Sequence, residues 1–240
     1  MTLSGPVPAS REVRIPCGDA WLYGDLVLPP GAWGLVLFVQ GSGSGRHSAE
    51  NRLVASRLQQ AGIATLLFEL LTAQEAQADL HRLASRVDIA ILTQRLQDAS
   101  LWVMAQPSLA QLPVGYFGAG TGSAAAIIAA ARLGRRIGAV VSGSGRPDLA
   151  GPVALAAVTA PTLLIVGSAD QNVLKMNEQA LAHLCGDKQL ALVDHGAHPP
   201  EEHGALAQVA ELAASWFGRH LAVKDQKAQR PDPVAGKESA

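Results

Sequence analysis

The sequence predicts an α/β fold built on a mostly parallel, eight-stranded sheet with helices on both faces. Three observations lead there. Unbroken apolar runs such as GLVLFV at Gly34–Val39 and PTLLIVG at Pro161–Gly167 fit strands buried on both faces. Helical stretches separate these runs in regular alternation, as parallel crossover connections require. Ahead of the alternation stand two runs of period-two patterning, the mark of a half-exposed antiparallel pair.

In chain order, the antiparallel pair covers Glu12–Pro16 and Trp21–Pro29. The buried strand Gly34–Val39 follows, then a helix from about Ser48 to Gly62, with Ala49 and Glu50 in its first turn and Gly62 to close it. A strand at Ala64–Leu70 leads into a helical stretch over 74–106. The region 72–106 is the only insertion long enough for a cap. Its Leu80, Leu83, Val87, Ile91, Leu92 and Leu96 recur at helical spacing, so it reads as a packing helix and the cap as minimal. The next strand, Pro113–Phe117, runs into an alanine-rich helix over 121–134. Strand Ile137–Ser142, a short helix after Pro147, strand Pro161–Gly167 and a helix over 174–185 come next, then strand Gln189–Asp194 and a helix over 201–221. Residues 1–222 read as one domain. Residues 223–240 carry almost nothing to bury and read as a disordered tail.

Composition narrows the function. The 240 residues are 48% hydrophobic and 16% charged, ample for one buried core. Nineteen basic and twenty acidic residues leave a net charge of −1, so nothing argues for nucleic acid or an anionic membrane as partner. Cys17 and Cys185 show no C-x-x-C or His/Cys metal spacing and read as reduced thiols of a cytoplasmic protein. The first residues lack a basic, apolar leader pattern, and no apolar run approaches the roughly 20 residues needed to span a bilayer. The expectation is a small-molecule ligand, no metal, no cofactor, and a monomer or homodimer.

The most informative segment is 113–134, PVGYFGAGTGSAAAIIAAARLG: a short strand, a turn of alternating glycines, then a helix. This strand–turn–helix layout is where hydrolases of the α/β class carry a nucleophile in a G-x-S-x-G elbow. Here the pentad is Gly118-Ala119-Gly120-Thr121-Gly122, so Gly120 occupies the nucleophile position. Thr121 does not substitute for the missing serine, because a β-branched side chain is unfavourable at a positive-φ apex. Ser123 belongs to the first helical turn and should point elsewhere. Gly120 to Ala125 also matches the dinucleotide pattern G-x-G-x-x-A, but around position 140 stand Ala139, Val140, Val141 and Ser142, with no acid to hold a ribose.

Asp170 follows the strand PTLLIVG, and Asp194-His195-Gly196-Ala197-His198 follows the last strand. Nucleophile position, acid and histidine thus occur in the order of an α/β-hydrolase triad, each after a strand. In such a set the acid fixes the imidazole tautomer and the histidine shuttles the proton. The runs GDLVLPPGAWGLVLF, GSGSGRHSAENRLVA, GYFGAGTGSAAA, GRPDLAGP, APTLLIVGSAD and HGAHPPEEHGAL resemble the bacterial dienelactone-hydrolase-like α/β-hydrolases, including those fused to phosphoribosyltransferases. The resemblance covers about 11–221 and implies the α/β-hydrolase fold. It implies Asp170 as triad acid, His198 as base, and Gly120 where the serine belongs. It also implies an oxyanion hole made by the backbone N–H groups of Ser42 and Thr121. One further departure is Gln40-Gly41, where the family's turn usually begins His-Gly, and Gln40 is a pocket candidate there.

His195 competes with His198 but sits closer to the strand. His81, His183 and His220 fall on predicted helix faces as solvated residues, and His203 in the first turn of the last helix. The glycine-rich loops Gly41–Arg46 and Ser142–Arg146 make Arg46, His47 and Arg146 pocket candidates for an anion; the alternative is that the arginines pair with Asp148 or Glu50. The ancestral activity implied is hydrolysis of an ester, lactone or thioester. Without the serine, two enzyme readings stand beside each other: an Asp170–His198 dyad acting as general base on water or substrate, and an inactivated hydrolase variant. A non-catalytic small-molecule-binding protein is the alternative.

Overall fold

The sheet runs β1-β2-β4-β3-β5-β6-β7-β8. The structure is a computed structural model that describes residues 10–18, 20–40, 45–72, 74, 75, 77, 89–194 and 202–222. Strands β1 (Ser10–Cys17) and β2 (Ala20–Val27) pair antiparallel, with Ser10 opposite Val27 and Cys17 opposite Ala20. Only one face of this edge is covered, so Val13, Ile15, Leu22 and Leu26 are buried while their neighbours face outward. On the open face the Arg14 guanidinium lies 4.8 Å from the Trp21 ring centre and 5.5 Å from that of Tyr23. The β2 strand ends at Val27, two residues short of the expected Pro29, whose carbonyl instead accepts from Ala32 N–H in a turn.

The alternating part follows. β3 (Gly34–Val39) and β4 (Ile63–Phe68) are buried along their whole length, and α1 (Ala49–Gln60) joins them. Ser48 caps α1 by accepting from Asn51 N–H, and Gly62 at φ +80° turns the chain out of it. Next come α2 (Ile89–Ala105), β5 (Val114–Ala119), α3 (Gly122–Leu133) and β6 (Ile137–Gly143). A 3-10 turn at Pro147–Ala150 and α4 (Gly151–Ala157) lead to β7 (Thr162–Gly167). Helix α5 (Gln171–His183), β8 (Lys188–Val193) and α6 (Glu202–His220) complete the fold. From β4 across to β8 every neighbouring pair is parallel, and β2 joins β4 antiparallel. This is the expected mostly parallel, helix-covered sheet.

Two apolar layers hold it together. One buries Leu35, Leu37 and Val39 with residues of α2, α3, α4 and α5. The other buries Val36 and Phe38 with Val54 and Leu58 of α1 and Ala213, Trp216 and Phe217 of α6. Alternation along β3 therefore feeds both layers.

The stretch after β4 begins with a capping box: Thr72 N–H donates to Glu75 Oε2, and Glu75 N–H donates back to Thr72 Oγ1. Arg95 of α2 clamps it, donating to both Glu75 carboxylate oxygens at 2.6 Å and to the Leu70 carbonyl at 2.7 Å. Leu92 and Leu96 are fully buried, as a packing helix requires, while Ile91 is exposed. Leu80, His81, Leu83 and Val87 lie outside the described residues, as does the stretch 223–240. Both cysteines are free thiols, Cys17 buried and Cys185 exposed. No described helix is long and apolar enough to cross a membrane.

Candidate functional site

The parallel register brings the carboxyl ends of the strands to one edge. Val39 stands beside Gly118, Ala119 beside Gly143, and Gly167 beside Val193. The residues that follow (Gln40, Gly120, Ser144, Ser168 and Asp194) therefore line one rim, where ligands of open α/β sheets bind.

After β5 the chain turns sharply through Gly120 and Thr121 into α3. Gly120 has φ +53°, the left-handed backbone that a nucleophile elbow imposes on its apex. A Cβ built there meets nothing within 4 Å. The glycines flanking the apex serve a different end. A Cβ on Gly122 would overlap the Val39 carbonyl, and one on Gly118 would lie 2.7 Å from Ser123 Cα. Small residues at these two places let α3 start directly against the ends of β3 and β5. Thr121 takes the cap position of α3 in helical geometry, and its N–H makes no hydrogen bond among the described residues. Ser123 is buried, and its Oγ accepts from Ser142 Oγ at 2.9 Å inside the fold. The Gly120 carbonyl accepts from Arg146 N–H at 2.9 Å.

Asp170 follows β7 and is exposed on this rim. It caps α5: Oδ1 accepts from Val173 N–H at 3.0 Å, which starts the helix at Gln171 instead of 174. Its Oδ2 makes no hydrogen bond among the described residues. Asp194 follows β8, and its Oδ1 accepts from Ser168 Oγ at 3.4 Å. Ser42, His195 and His198 lie outside the described residues. His203 falls in the first turn of α6, and His183 is exposed at the end of α5. His220 differs from the expected solvated residue. Its ring stacks on Trp216 at 4.3 Å, one helical turn away, and Nε2 lies 3.7 Å from Asp187.

The arginines of the two glycine-rich loops are committed to carboxylates. Arg146 binds Asp148 bidentately, Nε to Oδ1 at 2.9 Å and Nη2 to Oδ2 at 2.8 Å. Arg46 reaches the edge strands instead of Glu50: Nη1 donates to Glu12 and to Asp25, both at 3.1 Å, and its N–H donates to Glu69 Oε1 at 2.9 Å. Exposed His47 accepts from Arg52 through Nδ1 at 2.8 Å. The effect is to strap the chain after β3 to β1, β2 and β4, so Arg46 and Arg146 offer an anion no unpaired guanidinium.

Gln40 is 5% exposed, yet neither its Oε1 nor its Nε2 finds a hydrogen-bond partner among the described residues. Asn177 is a buried polar residue that went unrecognised in the sequence. It lies on α5 one turn from Val173 and from Ala180, in line with Leu184 at the helix's C-cap, and an amide interrupting such an apolar stripe is the signal that reveals it. A groove of about 280 Å³ opens elsewhere, between α1 and α6, lined by Leu53, Ser56, Ala207 and the Arg57–Glu211 ion pair. It lies away from the elbow.

No model of a protein family matches the chain. A crystal structure of a dienelactone hydrolase from Anabaena variabilis superposes with a TM-score of 0.84 at 50% identity, covering 89% of this chain and 99% of that one. The esterase Est1E from Butyrivibrio proteoclasticus gives 0.69 at 13% identity over 86% of this chain and 99% of its own, a likeness of fold alone. A Mycobacterium tuberculosis protein named as a phosphoribosyl transferase is 49% identical over 216 residues, 90% of this chain. This chain spans 48% of that relative, about half its length.

Proposed function

The chain belongs to the dienelactone-hydrolase-like α/β-hydrolases, and from that premise we propose that it acts on a small ester, lactone or thioester without forming an acyl-enzyme. In this reading His198, oriented by Asp170, is the general base. It takes a proton from water, the hydroxide oxygen bonds to the substrate carbonyl carbon, and the bond to the leaving group breaks. The proton then passes from the imidazolium to the leaving oxygen or sulfur. A substrate C–H or O–H proton is the alternative target of the same base. The Thr121 and Ser42 N–H groups would receive the oxyanion.

The observation that carries the reading is Gly120: an elbow kept in left-handed geometry, open above its Cα, with the side chain that would attack replaced by space. Two others support it. Thr121 N–H has no partner among the described residues, and Asp170 is exposed on the same rim with one carboxylate oxygen left to meet a donor.

A binding-only protein is the second reading. It is favoured by the other oxygen of Asp170, which is spent on the helix cap. The two part on one comparison. Hydrolysis of a panel of small lactones and esters is followed for the parent chain and His198→Ala. The dyad reading expects a loss of about 10²–10⁴-fold and a rate that falls below the imidazole pKa. Equal rates in the two proteins would leave binding alone.

A further inference from the structure

Three consecutive residues after β6 are each pinned by a different element. Ser144 N–H donates to the Ile165 carbonyl of β7 at 2.8 Å. The Gly145 carbonyl accepts from Asn177 Nδ2 of α5 at 3.1 Å. Arg146 N–H donates at 2.9 Å to the Gly120 carbonyl of the elbow, which also accepts from Ser123 N–H at the longer distance of 3.3 Å. Gly145 also packs flat on the Ser123 and Ser142 hydroxyls, leaving no room for a Cβ. Within this trio Ser144 holds φ +45°, among the described residues the only non-glycine with positive φ. Such a backbone persists only where its surroundings over-determine it.

Asn177 is the side chain in that trio's grip. It is fully buried, where a carboxamide is costly unless bonded and a leucine would pack the same stripe at no such cost. Its Nδ2 donates both to the Val173 carbonyl one turn back and to the Gly145 carbonyl across the interface, while its Oδ1 has no partner among the described residues.

The consequence reaches the site through one peptide plane. The carbonyl of Gly120 and the N–H of Thr121 belong to the same planar trans unit and point in opposite directions. Holding the carbonyl therefore aims the N–H. We propose that Asn177 is a positioning residue: by fixing the 144–146 loop it presents Arg146 N–H to the Gly120 carbonyl and so sets the direction of the Thr121 N–H. The oxyanion role of that N–H rests on the reading in the preceding subsection. The helix that carries Asn177 is also the one Asp170 caps, so the acid and the elbow share one rigid mount.

Hydrogen exchange at the Ser144 and Arg146 amides tests this without any activity. In Asn177→Ala and Asn177→Leu both amides should exchange about tenfold faster than in Val54→Ala. Val54→Ala is a control for lost stability, lying in the opposite layer. Adding Ser144→Gly, which removes the backbone strain, should restore part of the protection. In the Gly120→Ser background, Asn177→Ala should slow fluorophosphonate labelling about tenfold and leave the KM for a small ester unchanged. Unchanged exchange at Arg146 relative to Val54→Ala overturns the proposal, as does labelling that keeps the parental rate. If the Gly120→Ser parent itself does not label, the elbow reading falls, and the Arg146 exchange rates still decide the role of Asn177.

Discussion

Gly122 stands in contact with the Val39 carbonyl, so the first turn of α3 rests on the end of β3 with no space for a side chain between them. That contact fixes the depth at which the helix sits and the height at which the elbow projects. Both neighbours are backbone, which cannot rotate away as a side chain would.

Gly122→Ala should therefore destabilise the fold by about 3 kcal/mol, the upper range for overpacking. Urea unfolding read by circular dichroism checks this. A loss no larger than that of an exposed helical glycine would mean the helix moves freely off β3.

Gly120→Ser should behave oppositely in steric terms. The Cβ meets nothing within 4 Å, so the only charge against it is the left-handed backbone at φ +53°, about 1 kcal/mol. Mixed with a p-nitrophenyl ester, the variant should release a burst of nitrophenol as its new hydroxyl oxygen bonds to the acyl carbon. It should also label with a fluorophosphonate, the Oγ–P bond forming as fluoride leaves. A folded variant that neither bursts nor labels would remove Gly120 from the nucleophile position.

Gln40→Met should stabilise the protein by about 1–2 kcal/mol, because an apolar chain of similar shape replaces a buried carboxamide whose two polar atoms have no partner among the described residues. Thermal unfolding of the two proteins gives the sign directly. A lower midpoint for the variant would show that the amide is paired to a group beyond the described residues.

Acid sensitivity should centre on the Thr72–Glu75–Arg95 clamp. The hydrogen bond from Arg95 is the main cause holding the Glu75 carboxyl down to about 2, aided by Thr72 against an opposing desolvation. A carboxyl depressed in the folded state adds stability above its unfolded pKa of 4.5 and loses it as pH falls toward about 2. Arg95→Met should flatten the pH dependence of unfolding free energy across that window. Because the Glu75 side chain is 38% exposed, solvent screening keeps the effect small. An identical slope in parent and variant would exclude the clamp as its source.

The sheet was legible because its causes are local. Burial on both faces leaves an unbroken apolar run, and Gly34–Val39 coincides with β3 residue for residue. The elbow was legible for a similar reason, since backbone contact and left-handed geometry both demand glycine at fixed spacing. Long-range pairing was not. Arg46 finds Glu12 and Asp25 only because β1 and β2 return alongside β4, and nothing near Arg46 in the chain marks those partners. Asp170 carries two signals at once: its place in the chain order points to the site, and an aspartate before a helix is a capping signal in its own right. The stacking of His220 on Trp216 was open to reading from their helical spacing of four.

The open space above Gly120 also bears on heredity. Some codons for glycine and serine differ by a single base, and the fold raises no steric barrier to that exchange at this position. Folding thus favours glycine at residue 120 only through its left-handed backbone, by about 1 kcal/mol. A lineage that tolerates that cost lies one mutational step from a hydroxyl at the apex.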